Sequence, residues 1–169
     1  MFTAPSVPFT ATLMGAPDGR AGHLSTVAKM RAMVRECKCD PAIIQKATGI
    51  IYMQPQHDEF SEVRALFEFV RDHIRYQMDV VGVETLADPR MTLRRQVGDC
   101  DDKATLCASL LESVGYPTRF VMAGYHGPEY EHVYFETLVR GHWVPCETTE
   151  MVPLGWSAPD PVCWWIERV

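Results

Sequence analysis

Three side chains that could together form a nucleophilic triad follow one another in the second half of this sequence. Cys100 stands directly ahead of an apolar, helix-patterned run, His132 opens an alternating run, and Glu147 closes the next such run. A thiol that attacks a carbonyl carbon, an imidazole that takes the thiol proton and a carboxylate that orients the imidazole are the parts of such a site. The order predicts a site at which a thiol acts as the nucleophile.

The surroundings of Cys100 act on its thiol in opposite directions. A helix N-terminus and a nearby imidazolium lower a thiol pKa, because both favour the thiolate. Asp99, Asp101 and Asp102 bring negative charge, so we expect them to point away or to cap the helix. The backbone N–H of Cys100 is one expected oxyanion donor, and the side chain of Gln96 is a second candidate.

The spacing of His132 and Glu147 fits two antiparallel strands. Residues 131–139 and 142–146 alternate and are joined by Arg140 and Gly141, a connection of hairpin length. This register sets residue 132 opposite residue 149, so the side chain of Glu147 is within diagonal reach of the imidazole. Glu136 lies on the same strand face as His132 and remains an alternative orienting carboxylate.

The remaining pattern predicts the elements that hold these residues. We expect Ser25 to cap a helix over residues 26–36, and Asp40 to begin a short helix that ends near Thr48. Asp58 should begin an amphipathic helix, and a short helix is expected near residues 91–95. Gly115 should end the helix that begins at Cys100. Further strands are predicted over residues 118–123 and 162–167, and the amphipathic stripe consists of Phe60, Val63, Leu66, Phe67, Val70 and Ile74.

Length and composition restrict the class of protein. The 169 residues suit one compact domain, and a net charge of −6 without a basic block predicts no nucleic-acid partner. No apolar run approaches the roughly 20 residues of a membrane span. The N-terminus lacks the features of a secretory signal, so we expect the chain in the cytoplasm of the producing cell.

The six cysteines are expected to be free thiols without a metal. Cys37 and Cys39 form a Cys-x-Cys pair, with Cys146 and Cys163 far downstream. Structural zinc and iron–sulfur sites usually contain Cys-x2-Cys pairs, which this sequence lacks. We predict no metal and no cofactor, and interpret Cys107 and Cys146 as small buried apolar residues.

Residues 66–150 resemble the transglutaminase-like superfamily, whose members have a papain-like cysteine fold. The resemblance is carried by residues 70–76, 98–102, 110–121, 131–136 and 143–149. It implies an α+β fold in which the helix bearing Cys100 packs on an antiparallel sheet, with Cys100 as nucleophile and His132 as base. Glu147 stands where the family usually has Asp, and Tyr134 stands where many members have Trp. The implied reaction is acyl transfer from a protein or peptide amide through a thioester, with water slightly favoured over an amine as acceptor.

Residues 148–156, together with the small size of the chain, also make it similar to transglutaminase-like proteins of tailed phages and prophages. This resemblance implies incorporation in a virion and contact with other phage structural proteins. The alternative is a non-catalytic structural or assembly component that retains the fold. We expect an N-terminal arm with short helices (1–55), a core (56–152) and a Pro- and Trp-rich tail (153–169). One or both ends of the chain should contact a partner chain. We expect Trp164 or Trp165 to be exposed, unless the N-terminal arm covers both.

Overall fold

The computed structural model describes residues 12–13, 19–55, 57–78 and 85–169. Most of the predicted N-terminal segment 1–22 and residues 79–84 of the predicted loop lie outside these ranges. The helices and strands are β1 (Thr12–Leu13), α1 (Arg20–Cys37), α2 (Pro41–Ile51), α3 (Glu59–His73), β2 (Arg75–Tyr76), β3 (Thr85–Leu86), α4 (Pro89–Arg95), β4 (Val97–Gly98), α5 (Cys100–Ser113), β5 (Thr118–Gly124), β6 (His132–Val139), β7 (His142–Cys146) and β8 (Cys163–Arg168).

The largest sheet has four antiparallel strands in the order β7-β6-β5-β8. One short antiparallel pair joins β1 to β3, and one parallel pair joins β2 to β4. Helix α5 packs between β5 and β6 on one side and helices α1 to α4 on the other. The predicted α+β class, with the helix that bears Cys100 on an antiparallel sheet, is confirmed.

Helix α5 is the centre of the core rather than a helix with one apolar stripe. Every residue from Asp102 to Leu111 is buried, and Leu106, Leu110 and Leu111 are fully buried. A helix with neighbours on all sides buries its whole circumference. Full burial of a Leu side chain contributes about 1.5–3 kcal/mol, so this packing fixes the position of Cys100 at the helix start.

Aspartates stand at the N-cap of four helices, and all of these side chains except that of Asp58 accept a capping hydrogen bond. Asp40 accepts hydrogen bonds from the N–H groups of residues 42 and 43, and Asp99 accepts one from residue 102. Asp88 accepts from the N–H of Arg90 at the start of α4 and is followed by Pro89 at the first helical position. The predicted helix end at Gly115 is confirmed, since its φ of 96° is left-handed.

Helix α1 begins six residues before the predicted start at Thr26. Its N-cap is Gly19, whose carbonyl accepts from the N–H groups of Gly22 and His23, and Ser25 lies inside the helix. The buried face already includes Gly22, so tertiary packing extends the helix beyond the expected cap. The prediction that Ser25 caps this helix is therefore wrong.

The apolar stripe of α3 was predicted correctly except at its first member. Phe60 is 40% exposed, whereas Ser61 is buried in its place. The Ser61 hydroxyl donates to Asp58 Oδ2 at 2.6 Å, and a satisfied hydroxyl can be buried at low cost. The remaining stripe residues are Val63, Leu66, Phe67, Val70 and Ile74, all fully buried or nearly so.

Neither tryptophan of β8 is buried. Trp164 is 61% exposed and Trp165 is 39% exposed, so the predicted exposure of one of them is confirmed, and the other does not enter the core. The alternative, in which the N-terminal arm covers both, concerns residues that lie mostly outside the described ranges. The strand lies at the edge of the four-stranded sheet, and its outer edge has no neighbouring strand in the described part of the chain.

Among the described residues, no helix is long and apolar enough to cross a bilayer.

Candidate functional site

Cys100 is the first residue of α5, and its half-buried thiol lies against the beginning of β6. The thiol sulfur accepts a hydrogen bond from the backbone N–H of Val133. Val133 directly follows His132 in the sequence. The structure thus brings the thiol to the strand position next to the predicted base.

The N–H of Val133 is available because β7 has already left the sheet at this point. Leu138 donates to the carbonyl of Pro117, so even-numbered residues of β6 direct their N–H groups toward β5. Odd-numbered residues, including Val133, therefore face β7. The β6–β7 pairing ends at Phe135 and Cys146. The next N–H of β6 that faces this side is that of Val133, and it donates to the Cys100 sulfur instead.

His132 and Glu147 are in direct contact. The Nε2 atom of His132 lies 2.6 Å from Oε2 of Glu147, a distance typical of a charge-assisted hydrogen bond. The imidazole side chain is 23% exposed and the carboxylate side chain is 4% exposed. Because Nε2 is used in this bond, Nδ1 is the ring nitrogen left to exchange a proton with another group.

Further hydrogen bonds fix the carboxylate of Glu147. Its Oε1 accepts from the backbone N–H of Thr149 at 2.8 Å and from the Thr149 hydroxyl at 2.5 Å. Burial raises the pKa of Glu147, but the bond and charge of His132 and the bonds from Thr149 outweigh it, so that pKa lies below its usual value. An ionised Glu147 can hold the imidazole in one orientation and stabilise its protonated form.

The hairpin register is the one that the sequence predicts. Arg140 and Gly141 have φ values of 50° and 82°, and residues 139 and 142 pair directly beside them. Extended past Cys146, this register sets residue 132 opposite residue 149. The alternative carboxylate Glu136 instead accepts from Arg119 Nε at 2.5 Å, so the structure places Glu147 and not Glu136 on the imidazole.

The three acidic residues around Cys100 have different partners. Asp99 caps α5, and Asp102 Oδ1 accepts from the N–H of Ala87 at 2.7 Å. Asp101 Oδ1 lies 3.5 Å from the Cys100 sulfur and does not point away as expected. Burial, followed by the charges of Asp101 and Asp99, raises the pKa of Cys100 well above its usual value. In the free protein the thiol is therefore protonated, because burial and the acidic neighbours outweigh the influence of the helix N-terminus.

Gln96 lies close to Cys100 in sequence, but its hydrogen bonds are those of its backbone. It ends α4 in a left-handed conformation with φ of 56°, and its exposed side chain follows two exposed arginines. Its carbonyl accepts from the N–H of Arg75, which aligns β2 beside β4. The backbone of Gln96 thus helps to position β4, the strand that leads to Cys100.

Tyr76 is a site residue that sequence reasoning did not identify. Its register partner in the β2–β4 pair is Gly98, two residues before Cys100. Burial raises the pKa of Tyr76, and the charges of Cys100, Asp99, Asp101 and Glu147 raise it further. The hydroxyl is therefore protonated and lies near the candidate triad. Its place at the end of the matched segment 70–76 was the available signal.

Lys103 is a second residue that sequence reasoning missed, although it lies one helical turn after Cys100. Its side chain is buried, with a residue exposure of 2%, and Nζ donates to the carbonyls of Ile74 at 2.7 Å and Arg71 at 3.2 Å. These carbonyls belong to the end of α3, where a cation also interacts favourably with the helix dipole. Burial lowers the pKa of Lys103. The residue fixes α3, and hence the start of β2, against the helix that carries the thiol.

The other cysteines are free thiols, and of these Cys146 directly precedes Glu147. Cys37, Cys107 and Cys146 are buried, Cys39 is exposed and Cys163 is half-buried. Within the described ranges, no group of three or more His, Cys, Asp or Glu side chains is arranged to hold a metal ion.

Comparison with known proteins places this geometry in a family. Residues 46–148, more than half of the chain, match the family model described as the transglutaminase-like superfamily. No curated protein matches the sequence.

Three solved structures have a similar fold at low sequence identity. A candidate protease from Parabacteroides distasonis has a TM-score of 0.61 at 13% identity, with 82% of this chain and 30% of that chain covered. A candidate cysteine protease from Cytophaga hutchinsonii has a TM-score of 0.54 at 16% identity, with coverages of 76% and 50%. A chain of Rad4–Rad23 bound to a 6-4 photoproduct UV lesion has a TM-score of 0.52 at 12% identity, with coverages of 79% and 39%. Our chain thus spans half or less of the length of each of them.

Proposed function

The chain belongs to the transglutaminase-like superfamily, and we propose that it is a cysteine-dependent acyl-transfer enzyme that opens an amide through a thioester. Cys100 is the nucleophile, His132 is the general base and Glu147 orients the imidazole. The observation that carries the proposal is the 2.6 Å bond between His132 Nε2 and Glu147 Oε2, next to the strand N–H that holds the Cys100 sulfur. A base that is itself oriented by a carboxylate is the general signature of an activated nucleophile.

The raised pKa of Cys100 determines when its proton leaves. Because the thiol is protonated in the free protein, His132 Nδ1 accepts the proton as the sulfur attacks the carbonyl carbon. The tetrahedral intermediate then collapses, the amine leaves with the proton from the imidazolium, and the acyl group remains on the sulfur. A second nucleophile attacks the thioester while His132 takes its proton, and the thiol is restored.

Oxyanion stabilisation requires donors on the far side of the carbonyl from the imidazole. The backbone N–H of Cys100 belongs to the first turn of α5, where N–H groups have no partner inside the helix. Both side chains are exposed, but a protonated Tyr76 hydroxyl is the better second donor than the Gln96 amide, since Tyr76 is influenced by the same charges as the thiol. Each such donor is typically worth 10²–10³-fold in kcat.

Water is the acceptor that we propose, with a protein or peptide amide as the substrate. The descriptions of the two bacterial relatives as candidate proteases favour hydrolysis over amine transfer, as an analogy of fold. The similarity of residues 148–156 to phage proteins supports an association with a phage particle, and this part of the proposal depends on that similarity alone.

A non-catalytic binding or assembly role is the second candidate. The carboxylate of Asp101 against the thiol favours it, because this contact opposes thiolate formation. The fold also occurs in Rad4–Rad23 bound to a DNA lesion. This candidate predicts that Cys100→Ala changes nothing that the protein does.

Mass spectrometry of a treated protein substrate distinguishes these functions. The protein is incubated with dimethylated casein and a fluorescent primary amine, and the products are mapped for cleaved bonds, deamidated glutamines and incorporated amine. Hydrolysis gives cleavage or deamidation, whereas transfer to an amine gives incorporation. We expect Cys100→Ala and His132→Ala to abolish the products, while Cys39→Ala, which removes an exposed thiol, retains them. Equal products from Cys100→Ala and the wild type would refute the assignment.

A further inference from the structure

The outer edge of β8 carries backbone groups that point away from the sheet. Val169 donates to the carbonyl of Thr118 at 3.3 Å, so odd-numbered residues of β8 direct their N–H groups toward β5. Trp164, Ile166 and Arg168 therefore direct their N–H and C=O groups outward. In the described part of the chain, no strand pairs with this edge.

The side chains of this edge are unusually apolar for a free strand. Trp164 is 61% exposed, and Trp165 and Ile166 are each 39% exposed. Exposed edges are normally protected by charged side chains, prolines or bulges, because a free edge is a template for another strand. The six paired residues of β8 contain no proline and no bulge, and the only charged residues of the strand are Glu167 and Arg168 at its C-terminal end. An edge of this kind fits a partner that adds a strand.

The sequence of β8 is complementary to itself in one antiparallel register. We propose that a second copy of this chain pairs with the outer edge of β8 about a two-fold axis at Ile166. In this register Ile166 faces Ile166 of the second copy, and both residues have outward backbone groups, as a hydrogen-bonded pair requires. The two four-stranded sheets then form one continuous sheet of eight strands.

The flanking pairs of this register are chemically matched. Trp164 faces Arg168 of the second copy on the outer sheet face, and the reverse pair forms on the other side of the axis. A guanidinium over an indole ring is a favourable cation–π contact. In the single chain, the register neighbour of Arg168 is another cation, Arg119, which is paired with Glu136. In the dimer, the guanidinium of Arg168 therefore gains a favourable contact with an indole ring, which it lacks beside Arg119 in the single chain.

The opposite face of the strand is matched as well. Trp165 faces Glu167 of the second copy, and within one chain the indole N–H already lies 3.4 Å from Glu167 Oε2. An indole N–H donates only, and a carboxylate accepts only, so the same two groups can bond across the axis. Oε1 of Glu167 is already paired with Arg31 of helix α1, so Oε2 is the oxygen that accepts across the axis. All side chains from Trp164 to Arg168 thus have a partner in one register, which favours a second copy over an unrelated strand.

Charge reversal at the axis tests this interface. A substitution at Ile166 places two identical side chains opposite each other, and like charges in that position destabilise strand pairing. We expect sedimentation velocity to show a dimer for the wild type at about 100 μM, which is a modest requirement for a specific interface. Ile166→Lys and Ile166→Glu should each weaken dimerisation roughly tenfold or more, and an equimolar mixture of the two variants should form a heterodimer.

The controls make each outcome decisive. Ile44→Lys changes a residue of similar exposure, 36%, on helix α2, and should leave the dimer unchanged. Heterodimer formation in the mixture also shows that both variants are folded. A wild type that remains monomeric, or a dimer that survives Ile166→Lys, would overturn the proposal. Trp164→Ala and Arg168→Ala should each weaken the dimer, and the double variant should weaken it by less than the product of the two effects.

Discussion

The Cys100 sulfur lies 3.5 Å from Oδ1 of Asp101, and the thiol donates its proton to that carboxylate. A thiol that donates to a carboxylate is stabilised in its neutral form, since the thiolate would face a second negative charge. Together with burial, this contact explains why the pKa of Cys100 is raised although the residue begins a helix. The free protein thus has a protonated nucleophile, and a bound substrate must be attacked with the assistance of a base.

We predict that Asp101→Asn makes Cys100 more reactive in the free protein. Removing the neighbouring charge lowers the pKa of Cys100, so a larger fraction is thiolate at neutral pH, and alkylation at pH 7 should accelerate about tenfold, the equivalent of roughly one pKa unit. In the wild type, whose thiol pKa is raised, the rate of Cys100 alkylation should continue to rise above pH 9. Iodoacetamide labelling mapped by mass spectrometry over this pH range measures both effects.

Asp160→Asn is the matched control, because it removes an exposed carboxylate without contact to the thiol. It should leave the labelling profile of Cys100 unchanged. A profile that is the same in Asp101→Asn and in the wild type would show that Asp101 does not hold the thiol proton.

We predict that Glu147→Gln reduces turnover and that Glu136→Gln does not. A carboxamide at residue 147 can still accept a hydrogen bond from His132, but it supplies no charge to stabilise an imidazolium. The loss should fall within the 10²–10⁴-fold range of a disabled general base, and below the loss for His132→Ala. Initial rates for all three variants measure this order.

Glu136→Gln should lower stability instead, because it weakens the ion pair with Arg119. Thermal unfolding separates this effect from catalysis. If Glu136→Gln were the inactive variant and Glu147→Gln the active one, the assignment of the orienting carboxylate would have to be reversed.

We predict that Tyr76→Phe lowers kcat with little change in KM, whereas Gln96→Ala is close to neutral. Both side chains are exposed, but the phenol of Tyr76 is the one that the charges of the site influence. Loss of one oxyanion donor should cost about 10²–10³-fold in kcat, because that bond strengthens only in the transition state. Steady-state kinetics of the two variants decide between the donors, and the opposite order would identify Gln96.

We predict that Lys103→Met destabilises the protein by about 1–3 kcal/mol. The substitution leaves the carbonyls of Arg71 and Ile74 without their donor in a buried location, and an unsatisfied buried polar group carries a penalty of this size. Urea unfolding gives the difference in free energy. Lys29→Met, at a half-buried position of α1, is the control and should cost less. Equal effects of the two substitutions would show that the contact with α3 contributes nothing specific.

The local signals of the sequence determined most of the helices and strands, as well as the pairing of His132 with Glu147. Helix caps such as Asp40, Asp99 and Gly115 act through bonds to residues two to five positions away, so they can be recognised without a tertiary structure. The same holds for the hairpin, because a two-residue turn at Arg140 and Gly141 fixes which residues of the two strands face each other.

Only the tertiary structure decided the state of the thiol and the role of residues from distant segments. The pKa of Cys100 depends on burial by the surrounding elements and on the rotamer of Asp101, and neither can be read from the order of residues. Tyr76 reaches the site because β2 pairs in parallel with β4, and Lys103 is buried because α3 ends against α5. The exposure of Trp164 depends on the edge position of β8. Such features arise from contacts between elements far apart in sequence, whose geometry is set by the packing of the whole core.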